Sequence, residues 1–304
     1  MKAGHTLIGH IACFTAYSIF GINIVTCKDM AGSGLISPLS LFCLRSIGAC
    51  ILFWFISCFL PKEEVDRKDL PKIFVASIFG FFLTQITFLM AISDITPMNC
   101  SILSALSPIY TMLIASIALK EPITLKKTGG VLLSFSGIVY LILNSVTAVG
   151  GVTHTNPIGV LLIICNGLCL SLYLGSFKPL ISKYSVVTFM KWIFLFALLM
   201  SFPFSAKELI SIDYAALPSA YVFELLFLIV CATFVTYFLI PVGQKRIRPT
   251  LVSMYSYVQP IIATVISIIA GMDTLNWQKV LAAGTVFTGV LIVNFSKSKA
   301  DTKN

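Results

Sequence analysis

Two stretches of the chain carry hydroxyls and a proline at matching places: "CSILSALSPIY" from Cys100 to Tyr110 and "VSMYSYVQPII" from Val252 to Ile262. On a helix, Ser101, Ser104 and Pro108 share one face, as do Ser253, Ser256, Tyr257 and Pro260. A helical proline has no N–H for the carbonyl four residues back, so the carbonyls of Ser104 and Ser256 lose their usual partners. Unpaired carbonyls are costly in lipid, so each break must face protein or water. Such faces recognise rather than make bonds: the hydroxyls, the Gln259 amide and the rings of Tyr255 and Tyr257 can hydrogen-bond to and stack on a small organic solute. The plainer alternative is that both prolines kink helices for packing, with Ser and Tyr serving as interhelical glue.

Few ionisable side chains fall inside the apolar runs. Arg45 lies about eight residues into the second run and Lys191 about six into the seventh, the repeat counterpart of the second. A charge there costs about 2.5–3.5 kcal/mol on insertion scales unless it is solvated or paired. Each is therefore a candidate to meet a substrate carboxylate or phosphate, or else snorkels toward an interface. Asn166 and Tyr173 in the sixth run are candidates to line a path. His10 is the histidine within a run and Glu224 the acidic residue near one, which makes them the candidates for a proton-linked role. No HExxH, GxSxG or paired intramembrane aspartates occur, and His5, His10 and His154 are scattered, so an intramembrane enzyme is not indicated. Without a GxxxxGK[ST] loop there is no ATP-driven pump, and neither a metal nor a cofactor is expected.

The elements that must position these groups are set by composition. Of 304 residues, 58% are hydrophobic and only 11% charged, and mean hydropathy is +0.97, far from a soluble domain. About 20 apolar residues span a bilayer. Segments centred near Tyr17, Ala49, Phe82, Ser107, Phe135, Cys165, Phe194, Leu228, Ile262 and Thr288 qualify, so the expected fold is an all-α membrane protein of ten transmembrane helices. The first run, "TLIGHIACFTAYSIFGINIVT", is too long for a signal-peptide core and is expected to remain as a helix. The nine cysteines include no CxxC pair and read as small buried thiols. With the N-terminus inside, most lysines and arginines fall on the cytoplasmic side and Lys28, Lys207 and Lys279 outside. The net charge of +9 is then topological, with both termini cytoplasmic and no nucleic-acid partner implied.

A shift of 152 residues aligns the fourth and ninth segments without gaps, pairing Pro97 with Pro249, Ser101 with Ser253, Ser104 with Ser256, Pro108 with Pro260, and Gly137 with Gly289. Five helices per half is odd, so the halves must be inverted across the membrane, as in many secondary transporters. The hinge "LKEPITLKK" at Leu119 to Lys127 supplies a check. Its copy "GMDTLNWQK", expected on the outer face, carries Met272 and Gln278 in place of Lys120 and Lys126. The expected organisation is a first repeat over 1–145, an external link over 146–155 and a second repeat over 156–304.

The chain resembles the drug/metabolite transporter superfamily, specifically its ten-helix branch of two EamA-type domains. The resemblance rests on "FGINIVTCK" from Phe20, "LRS" around Arg45, "TQITFLMAI" from Thr84, the long stretch from Ala105 to Leu141 and its copy from Tyr257 to Val293. Where that family commonly has Gly-Glu after the fourth helix, this chain has Lys120-Glu121 and, in the copy, Met272-Asp273. Asn23 and Gln85 match positions that are often polar there. The resemblance implies alternating-access transport, through a cavity between the halves, of small metabolites such as amino acids or derivatives, with export the expected direction. A nucleotide-sugar or sugar-phosphate exchanger is the nearer alternative and a non-transporting scaffold the further one. Expected partners are a small-molecule substrate and the bilayer, with a homodimer through the small-residue spacings Gly130/Ser134 and Gly284/Thr288 of the fifth and tenth helices. The expected location is the cell (inner or plasma) membrane, as a multi-pass protein.

Overall fold

Four helices begin where a side chain takes up a free amide, at Ser37, Thr96, Asn156 and Ser185. The computed structural model describes residues 2–119, 125–146, 156–247 and 249–295, and no strand occurs among them. Ser37 caps α2 (Pro38–Ser57) by accepting from the Ser40 amide, and Asn156 caps α6 (Pro157–Ser176) through the Ile158 amide at 2.9 Å. In both, a proline follows in the first turn, where its missing N–H costs nothing. Besides a short helix at Lys178–Lys183, the remaining unbroken helices are α1 (Lys2–Ser33), α3 (Leu70–Ile92), α5 (Leu125–Val146), α7 (Val186–Ser211), α8 (Ser219–Arg246) and α10 (Trp277–Phe295). Two are broken: α4 into Pro97–Ser104 and Ser107–Leu119, and α9 into Pro249–Met254 and Val258–Ile269. Gly34 and Gly271, at φ 66° and 67°, end α1 and α9 in the left-handed region that glycine tolerates best.

Among the described residues, seven helices are long and apolar enough to cross a membrane: α1 from Thr6, α2, α3, α6, α7, α8, and α9 from Leu251. Shorter apolar stretches, Thr128–Leu141 and Trp277–Ile292, lie in α5 and α10. Exposed Leu7, Ile11, Phe14, Ile51 and Phe55 give the outside an apolar coat fit for lipid. All nine cysteines are free thiols, and only Cys58 is exposed. The hinge residues Lys120, Glu121 and Pro122 lie outside the described residues, as do 147–155, which hold most of the expected link.

Irregularities recur at matched positions. A π-helical turn occupies Ile78–Phe82 in α3 and another Val230–Val235 in α8. In α8 the hydroxyls of Thr233 and Thr236 bond the carbonyls of Leu228 and Cys231, five residues back, satisfying groups that the wider turn frees. The break in α4 carries the chain through a turn at Ala105 and Leu106. The Ser107 hydroxyl donates to the Ser104 carbonyl at 2.8 Å, filling the place that Pro108 vacates. In α9 the break is a 3-10 turn over Tyr255–Tyr257.

Between α2, α3, α7 and α8 sits an aromatic core. Phe81 packs on Phe194 at 4.5 Å and on Tyr237 at 5.0 Å, while Phe53 packs on Phe234 at 4.6 Å. Elsewhere α5 lies against α10: a Cβ on Gly289 would collide with Ser134 and the Gly130 carbonyl, and one on Gly137 would press on Val286 and the Ala282 carbonyl. Under the 152-residue shift Gly130, Ser134 and Gly137 correspond to Ala282, Val286 and Gly289, so the contact is reciprocal, as across a two-fold axis.

One end of the bundle is tied by charge. The Asp69 carboxylate accepts from Lys72 at 2.8 Å, Lys183 at 2.7 Å and the Tyr184 hydroxyl at 2.8 Å. Lys183 also pairs with Asp66, Lys245 donates to the Tyr184 carbonyl, and the Ser185 amide donates to Glu63. At the opposite end Lys28 caps α3 through the carbonyls of Ile92 and Ser93, and buried Lys279 pairs with buried Asp273.

Candidate functional site

A cavity of about 60 Å³ lies in the middle of the bundle, walled by α1, α3, α4, α6, α8 and α9. That volume holds a few waters, so a solute of amino-acid size would require the walls to move apart. Its apolar wall comes from Phe20, Ile24, Phe88, Leu170 and Ile240. Its polar groups are carboxamides and hydroxyls, and no Asp, Glu, Lys, Arg or His lines it among the described residues.

Five of the sequence-derived candidates meet here from five helices: Asn23 of α1, Gln85 of α3, Ser104 of α4, Asn166 of α6 and Gln259 of α9. The Gln85 amide donates to the Tyr237 hydroxyl at 2.8 Å, and its Oε1 is buried with no partner. These two residues are 152 apart, so each is the other's repeat counterpart. Asn166 donates to the Thr84 carbonyl at 2.6 Å. Asn23 accepts from the Cys27 thiol at 3.6 Å. Ser107 and Gln259, also 152 apart, both line the wall.

Other candidates lie elsewhere. Ser101 is buried and bonds back to the Met98 carbonyl. Pro108 is buried behind Ser104 and Ser107. Pro260 faces a separate, lateral apolar groove of about 300 Å³ with Ile102, Phe287 and Lys279. Tyr257 packs edge-on against Phe287 at 5.6 Å, and Ser256 is buried in the 3-10 turn. Tyr173 lies beside Gly80, where a Cβ would strike its ring, and so packs against the π turn of α3.

The charged candidates are outside the cavity wall too. Arg45 is fully buried, donating to the Thr233 hydroxyl at 2.8 Å, the Ala232 carbonyl at 3.4 Å and the Cys27 sulfur at 3.6 Å. Lys191 donates to Ser57 at the end of α2 at 2.9 Å and sits 5.0 Å over the Trp54 ring. His10 bonds the Tyr255 hydroxyl at 2.6 Å. Glu224 has a buried Oε2 without a donor. Glu224 is not the sole acid near a span, because α1 runs beyond Thr26 to Ser33 and brings Asp29 with it, and Glu208 lies in α7.

Sequence reasoning missed Tyr17, Thr84, Ser107 and Tyr237 in the cavity wall. Tyr237 was within reach, since carrying the 152-residue register back from the fourth segment to the third pairs it with Gln85. Tyr17, fully buried with an unpartnered hydroxyl, gave no signal beyond its place in an apolar run.

The EamA-like transporter family pattern matches twice, over residues 7–143 and 157–295. An uncharacterized transporter of Archaeoglobus fulgidus is 24% identical over 85% of this chain and 89% of its own length. The uncharacterized transporter YetK of Bacillus subtilis is 24% identical over 99% and 92%, and the uncharacterized inner membrane transporter YicL of Salmonella typhimurium 24% over 97% and 98%. A crystal structure of a protein 16% identical superposes over 100% of both chains with a TM-score of 0.63, a likeness of fold.

Proposed function

The chain belongs to the EamA-like transporter family, and on that premise we propose that it is a secondary transporter, not an enzyme, exporting small metabolites such as amino acids or their derivatives. The proposal includes ten crossing helices in two inverted five-helix repeats, 1–145 and 156–304, joined by an external link over 146–155, with both termini cytoplasmic. The observation that carries it is the hydrogen bond from Gln85 to its own counterpart Tyr237 inside the central cavity. A residue that touches its repeat mate lies on the axis relating the halves, where secondary transporters bind substrate. The reciprocal α5–α10 contact and the paired π turns and breaks support the same axis.

A phosphate-binding exchanger is disfavoured, since the donors of Arg45 are turned to Thr233, Ala232 and Cys27 and Lys191 to Ser57. For proton linkage the proposed candidates are Glu224, whose Oε2 is buried without a donor, and His10, which bonds Tyr255. By the name of its relative YicL, the inner membrane is the proposed location. The proposed homodimer would use Gly284 and Thr288, which face outward, because Gly130 and Ser134 are occupied by α10. Alternating access is tested with Gln259→Cys in a chain whose native cysteines are replaced. A membrane-impermeant thiol reagent should label it from either face of sealed vesicles; labelling from neither face would overturn the reading.

A further inference from the structure

The chemistry of the cavity wall narrows what it can hold. This inference rests on the cavity being the substrate site. Two side chains there are more than nine-tenths buried and carry an unpaired polar atom: Tyr17 through its hydroxyl and Gln85 through one end of its carboxamide. Turning the Gln85 amide over does not help, because either end can bond Tyr237 and the other stays unpaired. Gln259 is buried against the cavity and makes no side-chain hydrogen bond among the described residues. Asn166 has its orientation set by the Thr84 carbonyl, which needs the N–H₂ and leaves the oxygen free as an acceptor. Unpaired buried groups of this kind have lost their water without gaining a partner, so the wall is poised for a ligand that supplies both donors and acceptors.

No charge in the wall could pair with a charged solute, and burying an unpaired charge is far costlier than burying an amide. A buried full charge, Arg45, bonds Thr233 and Ala232 in the π turn of α8, the helix that brings Tyr237 to the wall. Its positive field opposes a cation, while the fixed Asn166 oxygen opposes a carboxylate or phosphate. We propose that the site selects uncharged solutes with an N–H donor beside a carbonyl acceptor, such as carboxamides, lactams or nucleobases, carried on an aromatic or aliphatic body that packs against Phe20, Phe88 and Tyr237. Among amino-acid derivatives, those with both the amino and the carboxyl group blocked as amides are favoured over forms that keep either charge.

The test is binding to the full chain in lipid nanodiscs, read as a saturable rise in melting temperature, with matched sets: benzamide, benzoate and benzylammonium; isobutyramide, isobutyrate and isobutylammonium; and uracil. Neutral members should bind and charged members should not. Gln85→Leu should weaken the neutral ligands about tenfold, the value of one lost hydrogen bond. Gln85→Glu should shift preference toward the ammonium members. Binding of a carboxylate or ammonium as tightly as its amide, failure of every neutral member, or neutral binding that is unchanged in Gln85→Leu would each overturn the proposal. Because binding is read without flux, a neutral ligand that binds but is not carried would count against transport and not against this selectivity.

Discussion

Arg45 is the largest fully buried side chain, and its neighbours explain how a bilayer protein tolerates it. Its partners are a hydroxyl, a carbonyl and a thiol, so the guanidinium is solvated by protein dipoles rather than by an anion. Removing one of those dipoles leaves a buried donor unpaired. Thr233→Val should therefore destabilise the protein by about 1–3 kcal/mol, seen as a lower melting temperature in nanodiscs. Arg45→Met removes the demand along with the charge and should cost less than Thr233→Val. The anomaly of an arginine in an apolar run was legible in the sequence. Its partner was not, because Thr233 is 188 residues away and carries no charge to mark it. The same holds for the cavity: Asn23, Gln85, Asn166 and Gln259 stood out as amides among hydrocarbons, whereas Tyr17, at the centre of an apolar run, reads as one more packed ring until its hydroxyl is seen to lack a partner.

At the scale of helices, the breaks in α4 and α9 followed from Pro108 and Pro260, but their consequence did not. The prolines were expected at the cavity, yet the groups delivered to it are the neighbours Ser104, Ser107 and Gln259, while Pro260 faces the lateral groove. The side of a helix on which a kink opens depends on what packs there, and helical periodicity alone does not state it. The π turns of α3 and α8 were likewise invisible, since threonines that cap freed carbonyls look like ordinary polar substitutions. The glycines of α5 and α10 give a contrast within one helix. Gly289→Ala forces a methyl into Ser134 and should cost about 1–3 kcal/mol by overpacking, whereas Gly284→Ala meets nothing within 4 Å inside the protomer and should lower the melting temperature less than Gly289→Ala.

Over the whole molecule, the two halves are joined at one end by the Asp69 cluster, which reaches from the loop before α3 to the turn before α7. Asp69 is buried from water yet lies at the rim of the bundle, and hydrogen bonds from Lys183, Lys72 and Tyr184 hold its carboxyl below the usual carboxylate range. Asp66 and then Asp69 hold Lys183 above the usual lysine range. The signs follow from linkage. The Asp69 contribution is complete above the ordinary carboxylate value of about 3.9 and is lost as pH falls through its lower folded value. The Lys183 contribution is complete below the ordinary lysine value of about 10.4 and is lost as pH rises through its higher folded value. Asp69→Asn should thus flatten the acid limb of a melting-temperature series against pH, leaving the neutral plateau lower. An unchanged acid limb would remove the cluster from the tie between halves.

The claim that organises these scales is that solute passes through the cavity on the axis between Gln85 and Tyr237. Flux into liposomes carrying the wild type or Gln85→Leu, at matched insertion, tests it most directly. The screen runs over amino acids and their amides, nucleobases, nucleosides and phosphorylated metabolites, with and without a pH gradient. The account predicts saturable wild-type flux of an uncharged solute that Gln85→Leu abolishes or strongly reduces. Equal flux through both proteins, or no saturable flux of any solute through the wild type, would contradict it.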